Sequence, residues 1–185
     1  MFKSLRIVAS LAVVVSVSGC GLWTMSSSSE KPSPKPRDNK AVLVIMRTTS
    51  FGFAATVNNY LDGKLIGQTQ GKCYFFTEVE SGEHYLTGKN ENSRTHTINF
   101  EPGKIYFLQQ AIYVGAWSAR TEYDTLNPQI FEQQKPECEF LVFDPAEAKG
   151  DDDAVVDMDE MLQEREKQIA EEQEYFAKVD NVRGF

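Results

Sequence analysis

The chain has 185 residues, of which 27 are acidic and 19 are basic, and its formal net charge is −8. The charge is uneven, because residues 144–185 hold 14 acidic and 5 basic residues whereas residues 40–143 hold 11 and 9. Neither part has the clustered Lys and Arg side chains that neutralise a phosphate backbone, which argues against nucleic acid as a partner. The composition predicts one near-neutral globular domain followed by an acidic tail.

The N-terminus has the residue order of a secretory signal peptide. Lys3 and Arg6 precede an apolar run that ends in small residues directly before Cys20. The run is shorter than the roughly 20 apolar residues of a membrane span, and a cysteine in this position is the one that lipid-modifying processing acylates. We predict a lipoprotein signal peptide at residues 1–19 and lipid attachment at Cys20. The alternatives are an ordinary secreted protein cut near Gly19 and an uncleaved anchor.

Acylation of Cys20 would tether the mature protein without spanning the membrane, since two acyl chains are enough for stable anchoring. Gly21, not Asp, follows the cysteine. By resemblance to Gram-negative lipoproteins, this residue implies transfer to the outer membrane. We therefore predict a periplasm-facing protein of the Gram-negative cell envelope, whose first partner is the membrane.

Residues 20–40 are rich in Ser, Pro and Lys and contain few large apolar side chains. Such a segment cannot bury enough surface to fold alone. It predicts a lipidated, flexible linker with a root-mean-square reach of roughly 25 Å, which would let the domain stand clear of the bilayer.

Residues 41–143 show strand patterns. The continuous apolar run at 42–46 predicts a central strand that is buried on both faces. The dipeptides at 62–63 and 102–103, Asp-Gly and Pro-Gly, predict tight turns between strands. Later strands are expected around 113–117 and 138–143. The expected fold class is mainly β, an antiparallel β-sandwich of about seven or eight short strands followed by an acidic C-terminal α-helix.

Several short motifs in this domain carry a family resemblance. They are YLDGKLIG at 60–67, GKCYFF at 71–76, GEH at 82–84 and PGKIYF at 102–107. In this order, behind a lipoprotein signal, they resemble the bacterial lipoprotein domain-of-unknown-function family 2846, and they are similar to the PEGA type of small surface β-domain. The resemblance spans about residues 41–143. It implies a β-sandwich and an envelope location, and it implies no activity, because the family has none established.

Cys73 and Cys138 are the cysteines that remain after processing, an even number in an oxidising compartment. A disulfide between them would close a loop of about 65 residues and stabilise the fold by roughly 4 kcal/mol on the chain-entropy model. The alternative is two buried thiols, each packed as a small apolar side chain.

Residues that could carry chemistry are few. His84 and His96 could form half of a metal site, or His84 could activate Cys73, but neither histidine has a partner at ligand spacing. The three aspartates at 151–153 lack the glycine of a calcium-binding loop and are better placed to cap a helix. Nucleophile-elbow, phosphate-loop and zinc-protease motifs do not occur in the sequence. We predict no enzymatic activity, catalytic residue, metal or cofactor.

The tail, residues 144–185, predicts a helix over about 153–177. Its apolar residues form a stripe that is too narrow for a coiled coil. The stripe recurs every seven residues and consists of Val155, Leu162, Ile169 and Phe176. The helix is interpreted either as solvated, with one edge on its own domain, or as a docking helix for an envelope protein. Under both interpretations, deleting residues 150–185 should leave the melting of the β-domain nearly unchanged.

Two functions fit these features. The first, which we predict, is a tethered structural or protein-interaction module with a possible envelope protein partner. The second is a periplasmic domain that binds a small ligand or glycan. It requires exposed aromatic side chains to converge on one concave face, and the candidates are Tyr60, Tyr113, Trp117 and Tyr123.

Overall fold

The computed structural model describes residues 23–49, 55–114, 119–148 and 154–183. The predicted signal peptide, Cys20 and the aspartates at 151–153 lie outside these residues. The described chain is mainly β, as predicted, and no helix in it has the length and hydropathy of a membrane span. Its elements are β1 (Met25–Ser28), β2 (Ala41–Arg47), β3 (Val57–Leu61), β4 (Lys64–Thr69), β5 (Cys73–Val79), β6 (Gly82–Lys89), β7 (Ser93–Phe100), β8 (Ile105–Val114), β9 (Ala119–Thr125), α1 (Pro128–Gln134), β10 (Glu139–Phe143) and α2 (Met158–Arg183).

The strands form two sheets. The order is β1-β10-β5-β2-β8-β9 in the six-stranded sheet and β4-β3-β6-β7 in the four-stranded sheet. Within the larger sheet, β10 pairs parallel with β5, and β2 pairs parallel with β8. The prediction of a purely antiparallel fold is therefore wrong at these pairs. The chain leaves the larger sheet to build the smaller one and then returns, and such long crossovers permit parallel pairing.

Strand β2 is the buried centre of the larger sheet, as predicted. All of its residues, Ala41–Arg47, are buried. Leu43 and Ile45 pack in one cluster with Leu86 of the other sheet, while Val44 on the opposite face packs with Phe131 of α1. Apolar side chains thus cover both faces of β2, which explains its unbroken apolar run.

Strand β1 lies inside the segment that the sequence predicts to be a flexible linker. Met25 is buried and is aligned with Phe143 of β10. Further along, the Tyr74 hydroxyl donates a hydrogen bond to the Pro32 carbonyl at 3.0 Å, and Ser33 Oγ donates to Glu132 Oε1 at 2.8 Å. The flexible-linker prediction is wrong for these residues. Low apolar content excludes independent folding, but it does not exclude pairing with a strand that is already in place.

Two elements after β8 also differ from prediction. The strand expected at 113–117 is not a separate element in the described chain, because β8 continues to Val114 and the next strand begins at Ala119. Helix α1 was not predicted, although its start has a recognisable signal. Asn127 Oδ1 accepts the N–H of Gln129 at 2.8 Å, and Pro128 occupies the first helical position. Both are common features of a helix N-terminus.

Helix α2 begins later than the predicted residue 153, at Met158. Its cap is Asp157, whose Oδ1 accepts the N–H of Asp159 at 2.9 Å and that of Glu160 at 3.4 Å. The helix contacts β7, and Met161 is buried. Just before the helix, the N–H of Val156 donates to the Gly63 carbonyl at 2.9 Å. The segment before α2 and the helix itself therefore pack against the smaller sheet.

Two residues of the apolar stripe predicted in the tail are exposed in the structure. Val155 is 68% exposed and Ile169 is 38% exposed, whereas Leu162 is half-buried. The side chain of Phe176 lies outside the described part of the chain. The contact face lies beside this stripe and shares Leu162 with it, and its residues have the three- and four-residue spacing of one face of a helix. Its members are Met158, Met161, Leu162, Arg165 and Gln168.

Candidate functional site

His84 lies on β6 and contacts the β3–β4 turn, and it is not part of a reactive pair. Its Nδ1 lies 2.5 Å from Asp62 Oδ2, and the other oxygen of Asp62 accepts the N–H of Tyr85 at 2.9 Å. Asp62 and Gly63 adopt the positive φ angles, 49° and 77°, that the Asp-Gly hairpin turn requires. The Asp62 carboxylate thus ties the β3–β4 turn to β6.

His96 lies in an ion cluster between the edges of the two sheets. Glu122 of β9 has one carboxylate oxygen 3.2 Å from Arg94 Nε and the other 3.7 Å from His96 Nε2, both on β7. The His96 ring also packs edge-on against Tyr123, with centroids 5.5 Å apart. Within the described ranges, no cluster of three or more His, Cys, Asp or Glu residues could hold a metal ion. The histidines serve contacts between strands.

Cys73 and Cys138 are free, buried thiols in the structure, so the predicted disulfide is not formed. Glu139 is the residue aligned with Cys73, which places Cys138 one residue out of register. Successive side chains of a strand point to opposite faces. Accordingly, Cys73 packs in the cluster between the sheets and Cys138 in the cluster under α1. A bond between them would require β5 or β10 to shift.

This geometry predicts that the protein retains both thiols. Burial raises the pKa of the Cys73 thiol to about 12, so it stays protonated and unreactive at neutral pH. Alkylation of the unreduced protein in denaturant, followed by mass spectrometry of its peptides, should modify both cysteines. A cross-linked Cys73–Cys138 peptide would contradict the register described above.

The most unusual feature of the interior is a group of hydrogen-bonded polar side chains between the sheets, which we call the polar cluster. It consists of Asn59, Thr69, Gln110 and Tyr123, all buried. Asn59 Oδ1 accepts from the Tyr123 hydroxyl at 2.5 Å and from Gln110 Nε2 at 2.7 Å. Thr69 Oγ1 donates to Gln110 Oε1. Because unsatisfied buried polar groups are costly, these bonds fix how the two sheets are placed on each other.

Each member of the polar cluster comes from a different strand: β3, β4, β8 and β9. Asn59 Nδ2 also donates to the carbonyls of Val57 and Gly67, both at 3.2 Å. Burial raises the pKa of Tyr123, which keeps its hydroxyl protonated as a donor. Sequence reasoning missed this cluster. The available signal was polar residues at strand positions where the alternation calls for apolar ones.

Gly88 of β6 makes the polar cluster possible. A Cβ atom at this position would lie 2.6 Å from the Tyr123 hydroxyl oxygen and 2.8 Å from Thr121 Cγ2. Both distances are shorter than any van der Waals contact. The absence of a side chain therefore lets the β9 edge of the larger sheet approach β6 closely.

Among the described residues, two open cavities that border α2 can be outlined. The larger, about 480 Å³, lies between the β6–β7 turn and the start of the helix, and carboxylates of Asp157, Glu160 and Glu164 line it. The smaller, about 210 Å³, lies between β7 and Arg165. Beside it, Gln168 Nε2 donates to the Ser93 carbonyl at 2.7 Å. The first turns of the proposed docking helix are thus occupied by contacts within the chain.

The aromatic residues proposed to form a ligand-binding face do not lie together where they are described. Tyr60 is buried with Leu65, and Tyr123 belongs to the polar cluster. Tyr113 is 49% exposed, and Trp117 lies outside the described residues. Tyr60 and Tyr123 therefore serve the core and provide no exposed surface for a glycan or small ligand.

Comparison with known proteins finds similarity to a protein family and to a curated protein. The family model described as "Protein of unknown function (DUF2846)" matches residues 37–122. An uncharacterized protein of Haemophilus influenzae is 29% identical over 112 residues, which cover 58% of this chain and 67% of that protein. No solved structure matches the chain. The chain is therefore similar to this family of unknown function from β2 to the middle of β9, and the similarity brings no activity with it.

Proposed function

We propose that the protein is a lipid-anchored lipoprotein of the Gram-negative cell envelope, held in the outer membrane and facing the periplasm. Its folded part is proposed to act as a structural or protein-interaction module. One observation carries the proposal: a basic tip, a short apolar run and small residues directly precede Cys20. Gly21 after the cysteine supports the outer membrane over the inner one.

The contacts of the described residues support a module more than an enzyme. Side chains that could act as acids, bases or nucleophiles are held in structural contacts: His84 by Asp62, Cys73 by burial and Tyr123 by the polar cluster. Clustering of Leu43 and Ile45 with Leu86 of the other sheet supports the finer assignment of a β-sandwich. Strands β1 and β9 are the outer strands of the larger sheet, and an outer strand can pair with a strand of another protein.

Replacing Cys20 tests the anchor directly. Cys20→Ala should abolish incorporation of labelled palmitate and move the protein from the membrane pellet to the soluble fraction, because the acyl chains are its only proposed anchor. Cys138→Ala is the matched control, since it removes another thiol and should leave the protein in the pellet. A Cys20→Ala protein that still sediments with membranes would overturn the proposal.

A further inference from the structure

We propose that the folded domain lies directly against the lipid surface, with the end of the larger sheet where β1 begins facing the headgroups. The inference rests on the proposed function, because it requires acylated Cys20. It names a second partner of the domain, a phospholipid surface, and the face that meets it. The sequence predicts a long spacer between the membrane and the domain, whereas this inference places the domain in contact with the membrane.

The chain between Cys20 and the folded domain is short. Only four residue steps separate Cys20 from Thr24, and an extended chain covers at most about 3.6 Å per residue, or about 14 Å in total. Thr24 is itself fixed in the fold. It is fully buried, its N–H donates to Gln68 Oε1 at 2.7 Å, and its carbonyl accepts from Asp144 N at 3.2 Å. The acylated residue therefore cannot be far from the domain.

The surface beside Thr24 has a partly exposed tryptophan and two exposed carboxylates. Trp23 is 39% exposed, and an indole ring is well suited to the boundary between headgroups and acyl chains. The neighbouring Asp144 and Glu147 are exposed carboxylates, which offer no attraction to anionic lipids. The anchor and Trp23 hold this end, so the contact should form on vesicles of zwitterionic phosphatidylcholine.

Strand direction sets the orientation. Phe143, the last residue of β10, is aligned with Met25, whereas the first residue, Glu139, lies at the other end of the β1–β10 pair. Five residues of a strand cover about 13 Å. Ala146 follows the membrane-facing end, and Gln133 of α1 precedes the opposite end. Both residues are exposed and can be replaced with Cys for labelling.

The test uses the full acylated protein in phosphatidylcholine vesicles that contain an acceptor-labelled lipid. A fluorophore at Ala146→Cys should transfer more energy to the acceptor than one at Gln133→Cys. In a Trp117→Phe variant, where Trp23 is the remaining tryptophan, emission should be quenched by acyl-brominated phosphatidylcholine. A long Gly/Ser insertion after Gly21 should lower both signals, because it lets the domain move away.

Equal transfer from the two positions, unquenched Trp23, or signals unchanged by the insertion would each overturn the inference. Mass spectrometry of the purified protein separates this result from failure of the proposed function. If Cys20 is acylated and the signals are absent, close contact is wrong while the anchor stands. If Cys20 is not acylated, the anchor itself is wrong.

Discussion

Deleting residues 154–185 should lower the free energy of unfolding by about 3–5 kcal/mol. The deletion removes the buried side chain of Met161 and the Val156–Gly63 hydrogen bond. It also uncovers Gly63, over which Met158 lies. Urea unfolding followed by circular dichroism would measure the change, provided that the transition stays two-state. This result would correct the expectation that the tail can be removed without effect.

Deletion of residues 171–185 is the matched control. It removes only the part of α2 that follows Gln168, so the contact face stays intact. The side chain of Gln168 still donates its hydrogen bond to the smaller sheet. Its effect should stay within about 0.5 kcal/mol, as for surface changes. If the two deletions shift the unfolding midpoint equally, the contacts of Met161 contribute nothing and the tail is separate from the domain.

Gly88→Ala should destabilise the protein by about 1–3 kcal/mol, although alanine usually stabilises a strand relative to glycine. The new methyl group would occupy the space of the Tyr123 hydroxyl oxygen, 2.6 Å away. Tyr123 cannot move away freely, because its hydroxyl donates a hydrogen bond to Asn59 in a buried site. Thermal and urea unfolding of the variant would measure the loss.

Tyr123→Phe supplies the control for this effect through a double-mutant cycle. Alone, it should cost about 1 kcal/mol, because the Tyr123–Asn59 hydrogen bond is lost while Gln110 still donates to Asn59. In the Tyr123→Phe background, the Gly88→Ala substitution should cost at least about 0.5 kcal/mol less than it does alone. Purely additive effects would show that the clash does not involve the hydroxyl group.

The elements that were predictable from sequence are those whose residues carry their own pattern. Residues 42–46 are apolar because β2 is buried on both faces, and Asp62-Gly63 turns the chain through its own backbone preferences. Neither inference needs knowledge of a distant partner. The start of α1 at Asn127-Pro128 had a local signal of the same kind.

The elements that were missed depend on residues far away in the chain. Ser26–Ser28 form a strand because β10 offers an edge, and no property of three serines predicts that edge. The polar cluster is likewise invisible locally, since Asn59 and Gln110 are tolerated inside only because they bond each other. The face by which α2 contacts the domain depends on a distant element in the same way, because Met161 and Gln168 face inward only where β7 lies beside the helix.

The pairing of β1 with β10 also sets an order on folding. Met25 and Phe143, which are aligned in this pair, lie at opposite ends of the domain sequence. Closing so long a loop is slow, and it cannot occur before the last strand is available. A chain that is still being synthesised therefore keeps its N-terminal segment unpaired until Phe143 has emerged. If Cys20 is acylated as proposed, the strand nearest to it is then among the last to be fixed, and the cysteine stays accessible to processing enzymes while the rest of the sheet assembles.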